Sequence, residues 1–402
     1  MKYFTKSFTQ QEAISTQAVA AATAVLATGR LHRYNTALGE LSETDLLEIE
    51  FAKYMGAPYC LACSSGGYAI HIAMRAAGVK TDDLVLCNAF TLAPVPGAIH
   101  NVGGIPVLVD VDDTYCIDLA DLESKAASSG AKYFVLSHMR GHIADMDNVM
   151  KICKQHSLIL IEDCAHTMGA SWNGVKSGNF GDVACFSTQT YKHINSGEGG
   201  LLTSANAELM ARAIIYSGSY MLFSHHQAAP NRQTFDAVKL ETPNYSGRMD
   251  NLRASILRPQ LAHLDTQCRR WNARYRILED AFMQSNEIAI PVRDELEFFV
   301  GSSIQFSLPM FSEAQIHSVI ERCAEHGVVL KWFGHAAPKG YTSRYDSWQY
   351  IKQMPSLAQT ETILSTLLDM RIPLTFDRAD CALIGEIIGT VVSEVTGPAE
   401  AR

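Results

Sequence analysis

Residues 158–166 read Leu-Ile-Leu-Ile-Glu-Asp-Cys-Ala-His. Four branched aliphatic side chains in succession suit a strand buried on both faces, and the two carboxylates that follow stand where such a strand leaves the core. Six further runs share this plan, over residues 59–62, 84–88, 105–110, 133–137, 183–187 and 200–203. Between them, residues 69–77, 119–128 and 146–155 repeat apolar positions at helical spacing. Strands alternating with one-faced helices predict an α/β layer structure around a mostly parallel sheet. Ligands of such sheets gather at the carboxyl ends of the strands, which is where Asp163 falls.

Away from this core the pattern changes. Residues 221–245 collect polar and turn-forming types, among them His225, His226, Pro230 and Asn231, and read as a long functional loop. Helical periodicity resumes over 249–264, a helix is expected over 313–326 and a strand over 304–308. The predicted division is a large domain over 1–254, N-terminal helix included, and a smaller α+β C-terminal domain over 255–402. Residues 396–402 have the composition of a disordered tail.

The chain of 402 residues is 47% hydrophobic and 19% charged with a net charge of -9, which predicts a large buried core and no nucleic-acid partner. The Ala-rich stretch 18–27 is too short and too weakly apolar to span a bilayer or form a signal-peptide core, so no membrane association and a cytoplasmic location are expected. The ten cysteines, several within strand-like runs, read as buried thiols of a reducing compartment. Cys60 and Cys63 have C-x-x-C spacing, but no second pair completes a zinc site. His138 and His142 flank a strand end, where no helix would turn both toward one metal. No metal is expected. His225 and His226 read as solvated loop residues, and Trp332 and Phe333 as partial core.

The segment Phe-Ser-Thr-Gln-Thr-Tyr-Lys-His-Ile-Asn-Ser-Gly-Glu-Gly-Gly over 186–200 leaves a buried run and enters a glycine-rich turn. A lysine there, Lys192, can be desolvated enough to offer a neutral, nucleophilic amine for a Schiff base. By itself it reads as a surface lysine, and for Asp163 by itself a helix N-cap is the alternative. Together they suit pyridoxal phosphate (PLP): an amine for the aldehyde and a carboxylate for the protonated ring nitrogen. Ser64-Ser-Gly-Gly, ending at Gly67 before a predicted helix, offers Ser65, Gly66 and Gly67 as a phosphate turn, and Ser187 adds a hydroxyl.

These motifs resemble the DegT/DnrJ/EryC1/StrS aminotransferases, and the likeness runs from about Glu12 through Leu374. Ser64-Ser-Gly-Gly-Tyr-Ala-Ile is similar to the family's S-G-T-x-A-L phosphate turn, with Gly67 in place of threonine. Asn88-Ala-Phe-Thr is similar to the segment that lays an aromatic ring over the cofactor, which implicates Phe90. Gly141-His-Ile-Ala-Asp-Met-Asp matches G-x-x-A-D-M-D. His166 takes the position that contacts the cofactor's ring face or phenolic oxygen. Tyr245-Ser-Gly-Arg-Met resembles G-x-N-x-R-M, with Ser246 for the asparagine that reaches the partner subunit's cofactor and Arg248 as the arginine.

The resemblance implies a fold-type-I PLP transferase with a seven-stranded sheet. It implies a homodimer with shared active sites and a ping-pong aminotransferase. Glutamate or glutamine would leave its nitrogen on the cofactor as pyridoxamine 5'-phosphate, for a keto sugar, cyclitol or other biosynthetic carbonyl acceptor. Dehydratases of the family carry histidine at the position of Lys192, so the lysine points to transamination. A cyclising or eliminating PLP enzyme and a non-catalytic ligand sensor are the alternatives.

Overall fold

The computed structural model describes residues 2–352 and 354–396. Its strands are β1 (Tyr59–Cys63), β2 (Leu84–Asn88), β3 (Ile105–Val109), β4 (Tyr133–Ser137), β5 (Ile159–Asp163), β6 (Ser171–Trp172), β7 (Val175–Lys176), β8 (Val183–Ser187), β9 (Gly200–Ser204), β10 (Glu297–Phe298), β11 (Ser303–Ser307), β12 (Lys331–Trp332) and β13 (Leu367–Arg371).

Seven of these form the central sheet in the order β1-β9-β8-β5-β4-β2-β3. The pairs from β3 through β8 are parallel, while β9 runs antiparallel between β8 and β1. The expected mostly parallel, seven-stranded α/β sheet is therefore present. Both faces are covered, which is why its strands are apolar throughout instead of alternating. One face packs under helices that include Glu43–Met55 and Met146–His156, the other under Gly66–Ala77 and Ala207–Tyr216. Parallel register aligns the carboxyl ends, so that Ser137 stands opposite Asp163 on adjacent strands.

A second sheet, β11-β13-β12, is antiparallel throughout. Here the sequence alternates. Ile304, Phe306, Leu368, Met370 and Trp332 enter an apolar core with helices Leu264–Phe282, Glu313–Glu325 and Arg378–Thr396. Ser303, Gln305, Asp369 and Arg371 take the opposite face, since successive side chains of a strand point to opposite sides. Phe4 and Phe8 belong to this same core, each edge-on to Phe376 at 5.0 Å.

The segment 221–245 departs from the expected loop: it contains the helix Arg232–Val238, capped by Asn231, whose side chain accepts from the Thr234 amide. The asparagine that reads as a turn former is an N-cap. Phe235 is buried and stacks on Phe223 with centroids 4.3 Å apart. His226 is likewise buried, contrary to a solvated reading. It bonds the Tyr34 hydroxyl at 2.8 Å and lies 3.2 Å from Glu48, which together with Asp45 neutralises the fully buried Arg33. An interior ion cluster needs its remaining lone pairs and protons matched, and His226 does part of that.

The ten cysteines are free thiols, all buried except the half-buried Cys116. Among the described residues no helix is long and apolar enough to cross a membrane. The tail expectation for 396–402 falls, beyond Thr396, outside the described residues.

Candidate active site

Asp163 closes β5 with its carboxylate held by neutral donors. The Ser137 hydroxyl donates to it at 2.9 Å and the Ala165 amide at 3.1 Å. These two bonds leave lone pairs free for a cationic partner. The neighbouring Glu162 is spent on the fold, accepting from the amides of Gly178, Phe180 and Gly181 at 2.7–3.0 Å. His138 lies 3.3 Å from Glu162 and close to Cys164. His142 instead bonds Gln305 at 2.8 Å, so the two histidines do not converge on one point.

Behind β1 the helix Gly66–Ala77 begins with Ser65 as N-cap, its hydroxyl accepting from the Tyr68 amide at 3.1 Å. A Cβ added at Gly66 would come within 2.8 Å of the Ser187 Cβ, so only glycine lets the helix end meet the end of β8. That approach sets the Ser187 hydroxyl beside amides at the positive end of a helix dipole, a donor set that suits a phosphate. Gly67 has looser surroundings, with Pro94 the nearest group at 3.6 Å from a hypothetical Cβ.

Lys192 lies past the end of β8, its Nζ 2.7 Å from the Nε2 of His166. Burial, with Arg140 and Arg371 nearby, pushes its amine down to about 7 against the pull of Asp163. Burial and the same cationic neighbours hold His166 well below the usual histidine range, so its ring is neutral and can accept from the lysine. The fold thus brings Lys192, His166 and Asp163 together at one end of the sheet, with Ser187 and the Ser65–Gly67 turn alongside.

Phe90 is buried in an apolar cluster and meets Phe333 edge-on, ring centroids 5.0 Å apart. Ser246 and Arg248 lie beside the phosphate turn of their own chain. The Ser64 amide donates to the Gly247 carbonyl at 2.8 Å, and Arg248 pairs as an isolated bridge with Cys63. The Arg248 side chain donates to the Gly218 carbonyl at 2.9 Å and covers the Tyr220 ring at 4.9 Å. Ser246 itself is exposed.

Sequence reasoning missed the other wall of the cavity. Arg140 makes a two-point ion pair with the buried Asp369, at 2.8 and 2.7 Å, and the same carboxylate accepts from Gln305 at 2.6 Å and from the Tyr341 hydroxyl. Arg140 adopts a left-handed backbone, φ 55°, which a side-chain-bearing residue holds only when its surroundings enforce it. Arg371 lies over the Tyr191 ring at 3.7 Å and lines a pocket with Arg140, His166 and Lys192. The polar-apolar alternation in Ser-Ile-Gln-Phe-Ser over 303–307 and Leu-Asp-Met-Arg over 368–371 was the available signal.

The residues present fit PLP: a desolvated amine, a hydrogen-bonded carboxylate, and a small-residue turn at a helix N-terminus. Comparison with known proteins agrees. The DegT/DnrJ/EryC1/StrS aminotransferase family matches residues 13–387. A "pleiotropic regulatory protein" of Geobacillus stearothermophilus is 32% identical over 66% of this chain and 74% of its own length. An L-glutamine:2-deoxy-scyllo-inosose aminotransferase of Streptoalloteichus tenebrarius is 34% identical over 56% of this chain and 53% of its own. The chain spans little more than half the length of several such curated relatives. The crystal structure of 3-amino-5-hydroxybenzoic acid synthase superposes with a TM-score of 0.80 and 24% identity, covering 96% of this chain and 99% of that one.

Proposed function

We propose that this chain, which belongs to the DegT/DnrJ/EryC1/StrS aminotransferase family, moves the amino group of glutamate or glutamine to a keto sugar, a keto cyclitol or a related biosynthetic carbonyl compound. It is a PLP-dependent aminotransferase, and its substrates are an amino donor and a carbonyl acceptor. The observation that carries the residue assignment is the amine of the half-buried Lys192, pushed down to about 7 and standing 2.7 Å from a neutral His166 beside Asp163. The named relatives that use L-glutamine and scyllo-inosose compounds support the donor and acceptor classes.

PLP, when bound, supplies an electron sink for the carbon that bears the transferred nitrogen. Lys192 would hold the cofactor's aldehyde through Nζ and, once freed by the donor's amine, would serve as the base that moves the proton of the donor's α-carbon. Asp163 would pair with the protonated ring nitrogen, so that charge is stabilised where it develops. His166, which accepts from Nζ at 2.7 Å, would steer it; Phe90 would cover the ring face; Ser65, Gly66, Gly67 and Ser187 would hold the phosphate.

In this reading residues 1–254 carry the cofactor and 255–402 form the wall that meets the substrate, within a soluble cytoplasmic homodimer. Support for a second copy comes from the exposed Tyr220, Met221 and Leu222 beside Arg248. There Ser246 and Arg248 would serve the neighbour's phosphate as well as bracing their own turn. Incubation with nitrogen-15-labelled glutamine or glutamate and a panel of keto sugars, cyclitols and aldehydes tests the reaction. Transfer of label to one carbonyl compound is the expected outcome. Label retained by the donor, with cyclised or dehydrated products, would replace transamination by another PLP reaction. A visible spectrum indifferent to every amine would leave a ligand sensor.

A further inference from the structure

Residues 9–15 form a strap beside the Lys192 cavity. Ahead of them Phe4 and Phe8 are sunk in the core of the second sheet, and behind them Ser15 caps the helix Thr16–Thr28, so both ends of the strap are fixed. Its middle is tied by Glu12, whose two carboxylate oxygens take the Arg270 guanidinium at 2.5 and 2.8 Å. Beneath the strap lies a crevice of about 120 Å³. It meets the cavity of Arg140 and Arg371 at three shared residues, Gln11, Lys192 and Trp271, so Lys192 borders two compartments.

The two compartments differ in charge. The crevice is lined by no arginine and by no lysine besides Lys192, and its one carboxylate, Glu12, is matched by Arg270. His263, its other ionisable group at the rim, is solvent-exposed. Most of the polar lining is taken up by the fold. Gln260 clamps the Asn195 backbone, accepting at 2.9 Å and donating at 2.8 Å. His193, pushed down to about 4 by burial and so neutral, donates to the Met168 carbonyl at 2.7 Å. Two carboxamides have atoms to spare. The Gln267 oxygen accepts from Arg270 at 2.5 Å, which leaves its NH2 group free. The half-buried Gln11 side chain bonds nothing among the described residues, where only its backbone carbonyl is used, by Gln10. We propose that this crevice receives the side chain of the amino donor and that Gln11 reads its distal group, which makes glutamine, and not glutamate, the donor. The inference rests on the aminotransferase reading.

The donor's side chain leaves the same carbon whose proton Lys192 would move, so it must lie beside that lysine. A terminal carboxamide presents an acceptor oxygen and an NH2 donor. Gln11 can answer both at once, giving its own N–H to the donor's oxygen and taking the donor's N–H on its own oxygen, while the Gln267 NH2 group reaches the oxygen's second lone pair. A carboxylate has no N–H for the Gln11 oxygen. In a compartment without a free cation its lost hydration also goes uncompensated. A site built to pair a polar group rejects the analogue that lacks it, which is the discrimination expected between the two amino acids.

The test follows the first half-reaction of the holoenzyme by stopped-flow absorbance with L-glutamine, L-glutamate and L-alanine, which lacks a distal group. The unmodified enzyme should prefer glutamine to glutamate by about tenfold or more in the apparent second-order constant. Gln11→Leu should lower the constant for glutamine by about 30-fold and that for alanine by less than about threefold, and Gln11→Lys should reverse the order of glutamine and glutamate. Calorimetry on the aldehyde form of the holoenzyme reads the same contact without turnover. Glutaramate, which is glutamine without its α-amine, should bind more tightly than glutarate, and Gln11→Leu should remove the difference. Glutamate accepted as well as glutamine by the unmodified enzyme, glutamine and alanine falling together, or glutamine unaffected in a folded, cofactor-loaded Gln11→Leu protein would overturn the proposal. If no amine changes the spectrum of the unmodified enzyme, it is the aminotransferase reading that fails, and the glutaramate and glutarate affinities still decide whether the crevice takes a carboxamide.

Discussion

Asp163 and Ser187 reach the Lys192 cavity from the ends of parallel strands, whereas Asp369 and Arg371 reach it from the flank of an antiparallel one. The first wall spends no ion pair: Asp163 is held by a hydroxyl and an amide, and its charge stays available to a bound cation. The second wall is ionic, with Arg140 locked to Asp369 and Arg371 stacked between rings. A wall of strand ends and a helix N-terminus suits one unchanging guest. A wall whose charges are fixed by distant partners can be altered one residue at a time, which is where donor and acceptor choice belongs.

Changes on the first wall should therefore abolish chemistry, and those on the second should shift affinity or stability. The largest effect is expected for Lys192→Ala, a fall in turnover of about 10⁴-fold with cofactor still bound through phosphate and ring contacts, measured by steady-state rates and cofactor titration. Asp163→Ala should lower turnover by about 10²–10³-fold and weaken cofactor binding at the same time. Normal turnover in that variant would mean another acid meets the ring nitrogen, and the two walls would no longer differ in kind.

On the second wall, Asp369→Asn leaves Arg140 buried without a counter-ion and should reduce unfolding free energy by about 3 kcal/mol in urea titration. A loss below about 1 kcal/mol would place the pair in an effectively solvated setting. The smallest effect is in pH. An amine lowered to about 7 is protonated and unreactive below that pH, so cofactor capture by the apoenzyme should slow about tenfold per unit below pH 7 and level off above 8. Arg371→Gln removes a cation, raises the lysine, and should move this profile to higher pH.

The same contrast explains what the sequence made legible. Asp163, Ser187 and Lys192 lie within a few residues of a strand end, and Ser65–Gly67 within a turn between strand and helix, so spacing along the chain reports their placement. Arg140 and Asp369 are 229 residues apart and meet only through the register of the second sheet. No local pattern names such a partner, although the alternation in β11 and β13 marks the face on which to look. His226 was misread for a related reason: its burial comes from Arg33, Tyr34 and Glu48, far upstream. In 231–238 the capping asparagine and the pair Phe235 and Val238, three apart, were the helix signal hidden by surrounding polar residues.

Cofactor attachment at Lys192 is the premise of every role assigned to the cavity. Borohydride reduction of the yellow holoenzyme, followed by proteolysis and mass spectrometry of the phosphopyridoxyl-labelled peptide, reads this directly. The expected result is a single adduct on Lys192, in the peptide that contains Ser187 through Gly200. An adduct on any other lysine, or no adduct from a cofactor-loaded protein, would contradict it.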